Sequence, residues 1–225
     1  NPYDQREKLG SLLERSLADR YAVWPIAVGG WSTVNQLAYL ERHPDVVRAA
    51  DFVVWSHISG GLRAPSAWLG DDTFPRRRPA WATLYVVRRA VARRFGGRVQ
   101  QAMGEPYLRP APADHDSRDA LGANLARFER MVERLAAASG RRRPGALVLY
   151  PNLNELAAAR RGLEWLPEHA ALERLATAHG LLVVDLTRQP EWTADLYRDE
   201  IHPTPAGNAV LARILNRAIE RATEE

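Results

Sequence analysis

Ala146-Leu147-Val148-Leu149-Tyr150 is an unbroken apolar run, bounded before by Arg141-Arg142-Arg143-Pro144 and after by Pro151-Asn152. A run this short and this uniformly apolar reads as a strand buried on both faces. Working outward, Leu181 to Leu186 (LLVVDL) and Asp51 to Ser56 (DFVVWS) have the same character. Tyr21 to Val28 reads as a further extended run that ends in Gly29-Gly30. Between these runs the apolar residues change to a helical period. Leu9, Leu12, Leu13 and Leu17 form one stripe within residues 5–19. Ser32 or Thr33 can cap a helix with Val34, Leu37 and Leu40 inward. Trp81, Leu84, Val87, Val91 and Phe95 mark another helix. Asp116 or Ser117 opens a long helix with Leu121, Leu125, Phe128, Val132 and Leu135 on its apolar face, stopping near Gly140. A helix through Leu172 and Leu175 ends at Gly180, and the last runs from about Pro205 through Val210, Leu211, Ile214, Leu215 and Ile219.

Strands of this kind alternating with helices predict a parallel sheet covered on both faces, a three-layer α/β/α sandwich. The expectation is a single domain over 1–225, with 62–115 as an insertion region rich in Pro, Gly and Arg. In such sheets the chemistry gathers beyond the carboxyl ends of the strands. Here those ends are Gly29-Gly30, Ser56 to Gly61, Tyr150 to Asn154 and the segment after Leu186.

The composition sets outer bounds. The chain has 225 residues, 46% hydrophobic and 26% charged, which excludes global disorder. No stretch is long and apolar enough to span a membrane. There is no cysteine, so disulfides, thiolate metal sites and cysteine nucleophiles are excluded, and the compartment stays open. The formal net charge is +4, carried almost wholly by arginine, with Lys8 the only lysine. No recognition motif accompanies that charge, so no nucleic-acid partner is expected. The arginine runs at 76–78 and 141–143 read as solvated loops or as contacts for an anion.

The most informative stretch for function is Asp199-Glu200-Ile201-His202-Pro203-Thr204-Pro205-Ala206-Gly207-Asn208. An Asp three residues before a His can orient the imidazole and leave its other ring nitrogen as a general base. Pro203 and Pro205 stiffen the loop, and Pro205 suits a first helical turn.

This block, just before a C-terminal helix, resembles the last conserved block of the SGNH (GDSL-type) hydrolases. The resemblance extends backwards. Ala27-Val28-Gly29-Gly30-Trp31-Ser32 looks like the family's second block, and Val53 to Leu62 stands in the place of the third. It implies a flavodoxin-like parallel sheet and an ester hydrolase with a Ser-His-Asp triad. Asp199 and His202 are the catalytic pair, and Gly30 is an oxyanion donor. Trp31, Ser59, Gly60 and Asn152 are candidate substrate contacts. The substrate is a small-molecule, glycan or lipid ester, and neither a cofactor nor a metal is expected.

Two departures stand out. No Gly-Asp-Ser is present, so the resemblance places the nucleophile upstream of Asn1, together with a first strand that is central in the family's sheet. Lacking that strand, 22–28 and 51–56 would face a gap. Each buried hydrogen bond left unmade there costs about 1–3 kcal/mol, against a total stability of roughly 5–15 kcal/mol. Second, Ile58-Ser59-Gly60-Gly61 stands where the family has the asparagine of its oxyanion hole. Gly60 or Gly61 offers only a backbone N–H there, and loss of one such donor costs about 10²–10³ in rate. The alternative reading is therefore a degenerate module of the same fold that binds a glycan or lipid without catalysis.

Other residues admit plainer roles. Ser32 reads as a helix cap and Ser59 as a turn hydroxyl; neither sits in a Gly-x-Ser-x-Gly elbow. His57 reads as a structural or a pocket-lining histidine. His115, between Asp114 and Asp116, fits a capping cluster, with no metal-ligand spacing around it. Asn152 and Asn154 serve either turn formation or substrate contact. Trp31, Trp55 and Trp68 serve either core packing or stacking on a sugar.

Overall fold

The computed structural model describes residues 4–27, 31–63, 80–87, 90, 117–139, 145–163 and 167–224. The chain divides into two compact units, one of 1–65 with 118–225 and one of 66–117. The second covers most of the 62–115 stretch read as an insertion and runs two residues past it. Its described part is helical over 82–87, and most of the expected helix through Phe95, with the loop at 96–115, lies outside the described residues.

In the first unit the elements run α1 (Leu9–Leu17), α2 (Thr33–Arg42), α3 (Pro44–Ala49), β1 (Val53–Ile58), α4 (Ser117–Ser139), β2 (Gly145–Tyr150), α5 (Leu153–Arg160), α6 (Pro167–Ala178), β3 (Leu182–Asp185) and α7 (Pro205–Glu224). The three strands form a parallel sheet in the order β1-β2-β3. Val53 lies opposite Gly145 through Ile58 opposite Tyr150, and Ala146 opposite Leu182 through Leu149 opposite Asp185. The ALVLY run is the centre of the sheet, and β2 is buried along its whole length. That is why it has no polar face: helices cover it on both sides.

Alternation along the strands divides the core in two. On one face Trp55, Leu147 and Leu149 meet Leu37 of α2, Val47 of α3, Phe128, Val132 and Leu135 of α4, and Leu172 of α6. Trp55 and Phe128 meet edge to face with ring centroids 4.8 Å apart. On the other face Val148, Tyr150 and Val184 meet Leu13 and Leu17 of α1, Leu156 of α5, and Leu211, Ile214, Leu215 and Ile219 of α7, with Trp192 fully buried among them. At about 1.5–3 kcal/mol per buried large aliphatic or aromatic side chain, these two clusters are the main stabilising term. The result is a mixed α/β unit with a parallel sheet between helices, compatible with an α/β/α sandwich.

One expectation is corrected. The run expected as a strand over 22–28 pairs with nothing among the described residues; 21–27 is without regular structure, and 28–30 lies outside them. Tyr21 and Val23 pack onto the α1/α7 core, Pro25 sits against Gly10 of α1, and Trp24 is 70% exposed. Pro25 lacks the N–H that a ladder needs, and β1 takes a strand partner, β2, on one side only among the described residues. On its other side the Gln36 amide donates to the Ser56 carbonyl at 3.4 Å. Two short helices, α3 and α5, stand where no helical stripe was visible. The arginine run at 141–143 lies outside the described residues.

Candidate active site

The loop between β3 and α7 is built to hold one imidazole. Tyr197 and Pro203 form an antiparallel bridge, and the Arg198 N–H donates to the His202 carbonyl at 2.8 Å, closing a tight hairpin-like turn. Inside it, Asp199 Oδ1 accepts from the backbone N–H groups of Ile201 (3.1 Å) and His202 (2.9 Å). The His202 ring lies over the same carboxylate, with Nδ1 at 2.9 and 3.0 Å from the two oxygens. A carboxylate only accepts, so Nδ1 carries the proton and Nε2 of the neutral ring holds the lone pair. No described residue hydrogen-bonds that nitrogen, and the His202 side chain is 58% exposed. The His202 and Ile201 amides, then the His202 ring and Arg198, hold the Asp199 carboxyl well below the usual carboxylate range. Asp199 is therefore ionised at neutral pH.

The rest of the motif anchors this turn. Thr204 donates from both N–H (2.7 Å) and Oγ1 (3.1 Å) to the Leu196 carbonyl, and its Oγ1 accepts from the Gly207 N–H at 3.0 Å. It thus caps α7, with Pro205 in the first turn, where no donor is lost. A Cβ on Gly207 would stand 2.4 Å from the Leu196 carbonyl oxygen, so only glycine lets α7 approach this closely. The Leu153 N–H donates to the Glu200 carbonyl at 2.8 Å, and Tyr197 Oη donates to the Pro151 carbonyl at 2.5 Å. Both contacts tie the turn to the carboxyl end of β2. Tyr197 accepts from the buried Trp192 indole at 2.8 Å, and burial pushes its hydroxyl up to about 12.

A second polar cluster, absent from the sequence reading, lies at the carboxyl end of β1. His57 shares the inward phase of Trp55 and is fully buried, with Nδ1 2.8 Å from Thr33 Oγ1. Its Nε2 has no hydrogen-bond partner among the described residues and stands 3.6 Å from Glu168 Oε1. Glu168 and His169 come from the first turn of α6 and are almost wholly buried. Glu168 accepts from the Gly60 N–H and from Arg63 Nε at 3.3 Å. Burial alone would raise its carboxyl; His57, the Gly60 amide and Arg63 outweigh that and hold it at about 2. Ser59 Oγ is 3.0 Å from His169 Nε2. Burial, with the neighbouring His57, pushes the His169 imidazole down to about 4. A ring that weakly basic is a poor partner for activating a hydroxyl at neutral pH, so this contact fits the turn reading of Ser59.

No family model, curated protein or solved structure matches the chain.

The remaining candidates are placed as follows. Gly30 lies outside the described residues, as do Trp68, His115, Asp114 and Asp116. Trp31 is half-buried against Tyr39, with ring centroids 5.6 Å apart. The Ser32 N–H and Oγ both engage Asn35 Oδ1, at 3.1 and 2.7 Å, at the start of α2. The Gly60 N–H is taken by Glu168 and the Gly61 N–H by the Ile58 carbonyl (3.0 Å), so both amides weighed as oxyanion donors have partners inside the chain. Gly60 itself has φ of 79°, which glycine adopts without strain. Asn152 caps α5: its side-chain oxygen accepts from the Glu155 N–H at 2.9 Å, while Glu155 Oε2 accepts from the Asn152 N–H at 2.8 Å. Trp55 is core. No described helix is long and apolar enough to cross a membrane.

Proposed function

We propose that this chain carries the histidine–aspartate part of an SGNH-type ester hydrolase, acting on a small-molecule, glycan or lipid ester. The single observation that carries the reading is the exposed His202 ring, steadied through Nδ1 by an ionised Asp199 and pinned at the carboxyl end of β2. A serine hydroxyl attacks the ester carbonyl while its proton passes to His202 Nε2. The imidazolium then gives that proton to the leaving alcohol, and water repeats the cycle on the acyl-enzyme. Asp199 keeps the ring in the working tautomer, and the Gly30 N–H is assigned to the oxyanion.

The sheet is consistent with this reading. In a flavodoxin-like order, 2-1-3-4-5, β1, β2 and β3 take the places of strands three to five. The side of β1 that has no strand partner among the described residues is then where the family's strand one, with its serine, would pair. Hydrolysis of an activated ester by the full-length protein, compared with its His202→Ala variant, tests the assignment. The expected loss is about 10⁶ in kcat, and unchanged turnover refutes it.

A second reading, a non-catalytic glycan- or lipid-binding module, is favoured by one observation: the Gly60 and Gly61 amides are already engaged. A serine-directed phosphonate separates the two, since covalent labelling supports the hydrolase and its absence supports the module.

A further inference from the structure

We infer that His57, Glu168 and His169 form a divalent transition-metal site, best suited to Zn²⁺. It is independent of the hydrolase reading, since it shares no residue with the Asp199–His202 pair. One ring nitrogen from each histidine and one carboxylate oxygen lie within 4.8 Å of one another, and all three residues are buried. Two imidazoles and a carboxylate are a familiar zinc donor set, with a fourth position left for water. A tetrahedral Zn²⁺ with bonds of about 2.1 Å spaces its donors roughly 3.4 Å apart, so these side chains need to close by little more than about 1 Å.

Two further features point to a ligand. His57 Nε2 is completely buried, hydrogen-bonded to nothing among the described residues, and faces a carboxylate at 3.6 Å, beyond hydrogen-bond reach. Such an atom costs about 1–3 kcal/mol if nothing satisfies it, and a cation between it and Glu168 satisfies both. Each histidine is also steadied by a hydroxyl on its ring, Thr33 Oγ1 on His57 and Ser59 Oγ on His169. Metal-bound imidazoles have this outer support as a rule. Arg63, half-exposed and 3.3 Å from Glu168 Oε2, is the side chain that a metal would displace toward solvent.

The sequence hides this site because its donors come from residue 57 and from 168–169, with no short spacing to mark them. It is also distinct from the second carboxylate–imidazole group, Glu129, Glu133 and His179, which is only partly buried, on α4 and just past the end of α6.

The test is calorimetric titration of ZnCl₂ into chelator-stripped protein, with Co²⁺ absorption reporting the geometry. One equivalent per chain and tetrahedral Co²⁺ bands are expected. Loss of an outer partner of a metal ligand costs 10–100-fold in affinity, so His57→Ala and Glu168→Gln should each weaken binding by more than about 100-fold. Glu133→Gln should leave it unchanged. Glu168→Gln keeps the side chain's shape and carries the test should His57→Ala fail to fold. Absence of zinc binding at micromolar protein overturns the proposal, as does binding that survives Glu168→Gln or is lost with Glu133→Gln.

Discussion

At the scale of single residues, the hydrolase reading rests on which atom of His202 holds the proton. The Asp199 carboxylate is fixed by two backbone amides before it meets the ring, so its orientation does not depend on the histidine. Replacing it by asparagine keeps the shape but offers Nδ1 an amide able to donate, which favours the wrong tautomer. On the hydrolase reading, Asp199→Asn lowers kcat by about 10⁴ with little change in KM; steady-state kinetics on both proteins would show it, and an unaltered kcat contradicts it. The Asp199–His202 contact was legible because it is local, three residues apart in one turn. The His57–Glu168–His169 cluster was not, because it joins residues more than a hundred positions apart. Its only signals were weak ones: His57 on the inward phase of β1 beside Trp55, and a Glu-His pair directly after Pro167 at a helix start.

At the scale of elements, the question is how a loop holds a side chain still. Here α7 does it. Its cap, Thr204, bonds back to Leu196, and Gly207 lets the first turn press against the same carbonyl. Gly207→Ala forces a Cβ into that oxygen, so the helix start must shift. The expected outcome is a loss of about 1–3 kcal/mol in urea unfolding, accompanied by reduced turnover as the His202 turn follows the helix. Full stability in the variant would show that the close approach is not required. Of the motif's helical half only Pro205 was legible, as a first-turn residue; the Thr204 cap and the close approach at Gly207 depend on Leu196 folding back onto the helix start. The β2 and β3 runs were readable, because strands buried on both faces have no polar alternation to confuse. The 21–27 run was misread for a physical reason. Apolar composition shows that a segment seeks burial, but pairing depends on a neighbour, and here α1 offers side-chain packing while no described strand offers hydrogen bonds.

At the scale of the whole molecule, two buried groups tie stability to pH. His169 falls from an ordinary value of 6.5 to about 4 in the fold, so acid protonates the unfolded chain first, and stability declines as pH drops through that interval. Glu168 is lowered from 4.5 to about 2, and the stability it contributes is lost in the interval below. Urea midpoints of the chelator-stripped protein, measured from pH 7 downward, should therefore fall from about pH 6.5, and Glu168→Gln should flatten the lower part of the curve. A midpoint independent of pH between 7 and 4 contradicts the buried neutral His169. The larger question, whether this sheet and this imidazole belong to a working hydrolase, is most directly settled by ester turnover in the full-length protein with and without His202. A fall of about 10⁶ in kcat on His202→Ala, with the fold intact by circular dichroism, is the result the account requires. Equal turnover by the two proteins contradicts it.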